Sequence, residues 1–178
     1  MLVEYLVKVA VHKCHNLVLR EEGKPPQAPT SFVRLTFEGS RRTACSLNQT
    51  SSPVYNEDFN YTLRLRPDDF LDAAILFEAE HQYLMSTVVI GVMSISLQTV
   101  YKEQEHFLFK RWVPLRHPET AEDAGSILIS IGCFGPGDKV PNQDYIGQAG
   151  TDDPPEVRSD MYKMTFTIGR GEALFCPQ

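Results

Sequence analysis

Apolar and polar residues alternate along much of the chain, which is typical of β-strands with one buried face. The alternation is first seen in residues 3–11, where valine or tyrosine occupies every second position. A loop rich in glycine and proline, residues 23–29, comes after it. The strand pattern resumes at residues 32–37, and the chain then turns tightly at Glu38-Gly39-Ser40. The second and third strands are therefore predicted to form a hairpin.

Five more strands are predicted beyond the hairpin, at residues 55–65, 74–77, 87–97, 107–115 and 127–131. Pro67 ends the first of these because proline cannot donate to a sheet ladder, and the polar span 78–86 is expected to be a loop. Helix is expected only at residues 67–73 and 97–104, for a turn or two. Eight short strands with little helix predict an all-β fold, an eight-stranded antiparallel β-sandwich.

The end of the chain differs in character from the rest. Residues 134–158 are rich in Gly, Pro and Asp with almost no periodic apolar pattern, which is typical of a linker. Strand character returns at residues 161–168, in a sequence that echoes the first strand and its exit. We therefore expect a domain at 1–137, a linker at 138–160, and at 161–178 either an extra strand or the start of a second copy of the domain.

Composition restricts the classes of function. A length of 178 residues suits one domain with appendages. The formal net charge of -6 argues against nucleic-acid binding, and also against strong, purely electrostatic binding to anionic lipid. The four cysteines are far apart without CxxC spacing, which disfavours a zinc site or a thioredoxin-like motif. Neither a transmembrane run nor a signal peptide is evident, so we expect a soluble, cytosolic chain.

Sequence motifs of catalysis are missing. The chain contains no HExxH, GxSxG or P-loop pattern, and its five histidines are scattered. The Gly-x-Gly sequences at residues 135–137 and 169–171 lack the strand-turn-helix setting of a phosphate-binding loop. A binding module is therefore expected, not an enzyme.

Two segments resemble the C2 domain pattern of a basic strand, a turn and then Pro-x-aromatic-Asn-Glu-x-Phe. They are Arg41-Arg42-Thr43 and Ser52-Pro53-Val54-Tyr55-Asn56-Glu57-Asp58-Phe59. Pro53 is expected to fix the turn and Tyr55 to pack at the sandwich edge. Asn56 and Glu57 are expected to bond neighbouring backbone, and Gly91 to permit a close backbone approach at a bend. The resemblance implies a C2-like sandwich with the permuted, type II strand order.

Three further segments resemble the second C2 domain of the ferlin family. They are Thr99-Val100-Tyr101-Lys102-Glu103-Gln104-Glu105-His106, Lys110-Arg111-Trp112 and Gly135-Pro136-Gly137-Asp138. The resemblance extends from about Val3 to Pro141, and the tail is similar to the start of the next ferlin C2 domain, although the linker departs from the ferlin pattern. It implies a module of a vesicle-fusion or membrane-trafficking protein at the cytosolic face of a vesicle or plasma membrane. A transmembrane anchor of the parent protein is expected outside this sequence.

Calcium-binding C2 domains gather several Asp side chains from two loops at one end of the sandwich, and this sequence offers few carboxylates there. Glu21 and Glu22 are the carboxylates of the first loop, and Glu78-Ala79-Glu80 stands where the third loop is expected to carry an Asp-x-Asp pair. We therefore take Glu22, Glu78 and Glu80 as weak candidate metal ligands. The expected function is independent of calcium or depends on it weakly, with no cofactor.

Two groups of residues are candidates for lipid binding. A basic concave face is expected to contain Lys8, Arg34, Arg41 and Arg42, and each cation near a membrane contributes about 1 kcal/mol. The third loop is expected to present Tyr83, Leu84 and Met85, which either insert at a lipid interface or cap the core.

Three hypotheses stay open from sequence. The first is a membrane-binding C2 module whose partner is an anionic phospholipid surface. The second is a scaffold that contacts neighbouring C2 domains or a protein partner and touches no lipid. The third is a calcium sensor with an unusual Glu-based site. Sedimentation with anionic liposomes, with and without calcium, separates them.

Overall fold

The computed structural model describes residues 1–141, except for Glu22 and the side chain of Leu47. The elements in chain order are β1 (Val3–His15), β2 (Thr30–Phe37), β3 (Ser40–Gln49), β4 (Val54–Leu65), α1 (Pro67–Asp72), β5 (Ala74–Gln82), β6 (Thr87–Ser96), α2 (Leu97–Lys102), a 3₁₀ turn (Gln104–His106), β7 (Phe107–Arg116) and β8 (Asp123–Phe134). Most of the predicted linker at 138–160 lies outside the described residues, and so do residues 161–178, predicted as an extra strand or the start of a second copy of the domain.

All neighbouring strands are antiparallel, in the order β3-β2-β5-β6-β7-β8-β1-β4. β6 and β7 are joined through the pair Val92 and Arg116, which divides the order into two four-stranded halves. Phe37 of β2 nevertheless packs edge-on against Tyr61 of β4, with ring centroids 5.3 Å apart. Because these strands are far apart in the order, the two halves must face each other. The predicted eight-stranded antiparallel β-sandwich is confirmed.

Alternation along the strands decides which side chains fill the core. Val7, Val9 and Val11 of β1 are at most 1% exposed, and so are Leu35 and Phe37 of β2. Successive side chains of a strand point to opposite faces, so these residues line the inner face of each half. Burial of each such side chain stabilises the fold by about 1.5–3 kcal/mol.

The strand boundaries differ from the predicted ones mainly at β5. Its pairing with β2 continues to Ser31 and His81, so Glu78 and Glu80 lie within a strand. The prediction of a loop over 78–86 was wrong for its first five residues. The polar residues of this span suggested a loop. They form a strand because β2 pairs with them across the sheet, a contact that their own sequence does not reveal.

Gly91 has the role expected from the sequence, a close approach of backbone to its neighbours. A Cβ atom at this position would lie 2.7 Å from the Cβ of Ala124 and 3.0 Å from the Cβ of Leu115. The hairpin turn also follows prediction. Glu38 and Gly39 have φ angles of 46° and 73°, which is typical of the type I′ turn that suits a two-residue hairpin.

The antiparallel order places the connections at two ends of the sandwich. The loop end holds residues 16–29, 50–53, 83–86 and 117–122. The helix end holds the hairpin turn, both helices and the chain after β8, which are residues 38–39, 67–72, 97–106 and 135–141. The helices have six residues each, and within the described part of the chain no helix has the length and apolar content needed to cross a membrane.

Candidate docking site at the loop end

The connection between β5 and β6 presents two apolar side chains to solvent. Leu84 is 99% exposed and Met85 is 94% exposed. Their turn is closed by the N–H of Tyr83, which donates to the carbonyl of Ser86 at 2.8 Å, and by the amide of Gln82, which donates to the Tyr83 carbonyl at 2.6 Å. We call Tyr83, Leu84 and Met85 the tip. The predicted alternative, a loop that caps the core, does not fit Leu84 and Met85.

The tip is fastened to the first loop. The Tyr83 hydroxyl donates to the carboxylate of Glu21, and Lys24 Nζ lies 2.7 Å from the same carboxylate. The Tyr83 ring packs edge-on against His81, with centroids 4.5 Å apart. Bonding by Lys24 and by Tyr83 lowers the pKa of Glu21, and the bond to Glu21 raises the pKa of Tyr83. Sequence reasoning missed Lys24, although its i,i+3 spacing from Glu21 is a signal for a local ion pair.

Two residues that the sequence assigned to different sites are paired with each other. Arg34 Nε lies 2.8 Å from Glu80 Oε1, and Arg34 Nη2 donates to Glu80 Oε2 at 3.1 Å. The Glu80 side chain is 4% exposed and that of Arg34 is 30% exposed. The bidentate geometry gives the buried Glu80 carboxylate a partner for both of its oxygens.

The four candidate basic residues do not form a single face. Arg34 and Arg41 lie on the outer face of their half-sheet, whereas Arg42 is opposite the buried Leu35 and therefore lies on the inner side of the edge strand β3. Lys8 is on β1, in the other half of the sandwich, between the inward-facing Val7 and Val9.

The outer face of β2 and β5 also carries acid. Glu78 is the cross-strand partner of Arg34, and Glu80 lies on the same face two residues further along β5. Arg34 of β2 and Arg41 of the adjoining strand β3 therefore share the outer face of this half-sheet with two glutamates. The face is balanced in charge, which weakens the attraction to an anionic surface.

The candidate metal ligands are dispersed or occupied. Glu80 is held by Arg34, Glu78 is in the middle of β5, and Glu22 lies outside the described residues. Among residues 1–141, Glu22 apart, no group of three or more His, Cys, Asp or Glu side chains is arranged to hold a metal ion.

The Pro-x-Tyr-Asn-Glu segment, residues 53–57, contacts β2 and β3 through the side chains of Tyr55 and Glu57. Tyr55 is 8% exposed, and its hydroxyl shares a hydrogen bond of 2.9 Å with Ser31 Oγ. Glu57 Oε1 accepts from the N–H of Cys45 at 3.2 Å, which joins β4 to β3 across the corner of the sandwich. Asn56 has a φ of 52°, a left-handed conformation that asparagine tolerates better than most residues. Glu57 thus bonds neighbouring backbone as expected, and Tyr55 is buried.

Two four-stranded antiparallel halves packed face to face define a C2-type sandwich, and comparison with known proteins agrees. The chain belongs to the C2 domain family, whose model matches residues 5–115. Its fold is similar to that of a solved extended synaptotagmin 2 fragment containing an SMP domain and two C2 domains, with a TM-score of 0.59 and 12% identity over 75% of this chain and 28% of that one.

The expected resemblance to ferlins is also confirmed. The chain is 31% identical to Ferlin 1 of Toxoplasma gondii over 150 residues, which cover 80% of this chain and 10% of that protein. It is 28% identical to Ferlin 2 of Tetrahymena thermophila over 154 residues, which cover 84% of this chain and 9% of that protein. The chain therefore spans about one tenth of the length of these relatives.

Proposed function

We propose that this chain is a non-catalytic C2 module of a ferlin-like membrane-trafficking protein, and that it docks on the cytosolic face of a vesicle or plasma membrane through the tip, with little dependence on calcium. The observation that carries the proposal is the almost complete exposure of Leu84 and Met85 on a turn that Tyr83 fastens to Glu21. Because hydrogen bonds already fix the backbone of this turn, entry of its apolar side chains into a lipid interface orders little additional main chain.

The expected affinity of the isolated chain is modest. Full burial of a leucine or methionine side chain contributes about 1.5–3 kcal/mol, so the tip supplies about 3–6 kcal/mol before the costs of association. With a net charge of -6 the chain as a whole adds no general attraction to anionic lipid. In a longer protein, neighbouring domains on the same membrane raise the effective affinity without any new contact here.

A scaffold role is the second candidate, and the outer face of β2 and β5 favours it. This face pairs Arg34 with Glu78 and Glu80, and Arg41 lies on the adjoining strand β3, a mixed-charge pattern that suits a protein partner or a neighbouring C2 domain better than an anionic bilayer.

Vesicle sedimentation of the 178-residue chain tests the proposal. The wild type is expected to bind vesicles of phosphatidylcholine and phosphatidylserine equally well with calcium and with chelator. Leu84→Ser with Met85→Ser is expected to lower bound protein at least fivefold. The matched control is Leu71→Ser, because Leu71 is 51% exposed on α1 at the helix end. It is expected to leave binding unchanged.

Other outcomes of that experiment overturn the proposal in distinct ways. A wild type that binds no vesicles points to the scaffold role. Binding that requires calcium points to a calcium sensor. Binding that survives the tip variant but is lost in Arg41→Glu with Arg42→Glu assigns docking to the basic residues of β3.

A further inference from the structure

Two of the three segments that mark the ferlin resemblance meet at the helix end. Residues 99–106 include most of α2 and all of the 3₁₀ turn, and residues 135–138 follow β8 directly. We propose that Tyr101, His106 and Asp138 form a clasp that fixes the direction in which the chain leaves the C2 domain. The clasp would then set the position of whatever follows, independently of what the tip binds.

Asp138 is the residue that the clasp holds. Its Oδ2 accepts from the N–H of Gly135 at 2.7 Å and from the Tyr101 hydroxyl at 3.2 Å. The first bond closes a turn immediately after β8, and the second joins that turn to α2, 37 residues earlier in the chain. Burial, and then the bond to Asp138, raise the pKa of Tyr101, so its hydroxyl keeps the proton that it donates.

His106 completes the arrangement from the other side. Its Nδ1 lies 2.6 Å from the carbonyl oxygen of Tyr101, and a carbonyl only accepts, so Nδ1 carries a proton. Its ring stacks on the Tyr101 ring, with centroids 3.9 Å apart and planes inclined by 5°. Its Nε2 then faces Asp138 Oδ1 at 3.6 Å, within ion-pair distance when the ring is doubly protonated. The two side chains that contact Asp138 are thus fixed to each other.

The backbone at this point is held in an uncommon conformation. Glu105 and His106 are consecutive non-glycine residues with φ angles of 57° and 56°. Such a conformation is unfavourable for residues with a Cβ atom and persists where surrounding contacts determine it. The hydrogen bond and the ring stacking between His106 and Tyr101 supply those contacts. This conformation places His106 beside Asp138.

The base of the clasp is rigid. Tyr101 packs edge-on against Tyr5 of β1 and against Phe70 of α1, with centroid distances of 6.3 and 5.5 Å. Tyr5 and Phe70 stack on each other at 4.5 Å. Tyr101 is therefore anchored to two other elements, and the direction of Asp138 is defined relative to the whole sandwich.

Residues 139–141, together with Glu105 and His106, line a cleft of about 510 Å³. The side chain of Asp138 thus ties the start of this segment to α2 and the 3₁₀ turn. Since the exit is at the helix end, the clasp would direct residues 139–141 out of the domain at the end opposite the tip.

Distance measurement between two spin labels tests the clasp. The labels are placed at Leu71→Cys on α1 and Val140→Cys after the clasp, in the 178-residue chain with Cys45→Ser and Cys176→Ser. Both label sites are exposed. A narrow distance distribution is expected for the otherwise unchanged chain, and Asp138→Ala is expected to at least double its width. Tyr101→Phe, which keeps the ring packing and removes the hydroxyl, is expected to widen it by a smaller factor.

Asp58→Ala, an exposed acid on β4, is the matched control and is expected to leave the width unchanged. The circular dichroism spectrum separates loss of the clasp from loss of the fold, and Tyr101→Phe serves if Asp138→Ala does not fold. A distribution that is already broad without the substitution, or one that neither variant widens, overturns the proposal.

Discussion

Arg34 and Glu80 form a bidentate ion pair across β2 and β5, with contacts of 2.8 and 3.1 Å between the guanidinium and the carboxylate. From sequence the arginine belonged to a lipid-binding face and the glutamate to a metal site. In the folded chain each neutralises the other. A protein cation thus occupies the carboxylate that a calcium ion would need.

Because Arg34 is paired with Glu80, we expect the chain to bind calcium weakly or not at all. We expect isothermal calorimetry of the wild type to show no saturable uptake tighter than about 1 mM, the weak end of calcium sites in proteins. The physical reason is that the Glu80 carboxylate is already paired with Arg34, and that Glu78 lies in the middle of β5 and not in a loop. Glu80→Gln is the control and is expected to give the same flat titration. Stoichiometric uptake that Glu80→Gln abolishes would contradict the assignment.

Removal of one partner of the pair is expected to destabilise the fold. Glu80→Ala leaves the half-buried Arg34 without its carboxylate, at a cost of about 1.5–3 kcal/mol in the free energy of unfolding. Arg34→Met with Glu80→Met removes both charges, and we expect this variant to lie within about 1 kcal/mol of the wild type. Urea unfolding monitored by fluorescence measures both. A double variant less stable than Glu80→Ala would show that the pair itself contributes more than the isolated charge costs.

Gly91 is expected to be intolerant of a methyl group. In Gly91→Ala the new Cβ atom would lie 2.7 Å from the Cβ of Ala124 and 3.0 Å from the Cβ of Leu115. Overpacking of this kind costs about 1–3 kcal/mol in the free energy of unfolding. Addition of Ala124→Gly removes one of the two clashes, so the double variant is expected to be more stable than the sum of the single effects predicts. Thermal unfolding of the four proteins completes the cycle. If the two substitutions are simply additive, contact with Ala124 is not the reason that Gly91→Ala is destabilising.

The cysteines are expected to differ sharply in reactivity. Burial raises the pKa of the Cys14 thiol to about 12 and, with a contribution from Asp138, that of Cys133 to about 12. A thiol with a raised pKa stays protonated at neutral pH and is a poor nucleophile. Iodoacetamide at about pH 7.5, followed by peptide mapping, should modify the exposed Cys45 at least tenfold faster than Cys14 or Cys133. In urea the difference should disappear. Rapid modification of Cys14 in the folded chain would show that the loop end opens.

Much of the fold was predictable because its signals are local. Alternation over residues 3–11 and 32–37 identified strands, the Glu38-Gly39 dipeptide identified the hairpin, and Pro67 marked the end of β4. Each of these depends on the conformational preference of a few consecutive residues. The same period of two places Arg41 and Arg42 on opposite faces, so their separation could also have been predicted from sequence.

The pairings that shape the site were decided by the tertiary structure. Arg34 meets Glu80 across 46 residues, and Tyr83 meets Glu21 across 62, through contacts that exist only when distant segments are in register. That register is set by the combined packing of the inner faces, which no single segment encodes. The sequence by itself therefore determined the strands and the family, while the folded sandwich decided which charges cancel and which apolar side chains remain in solvent.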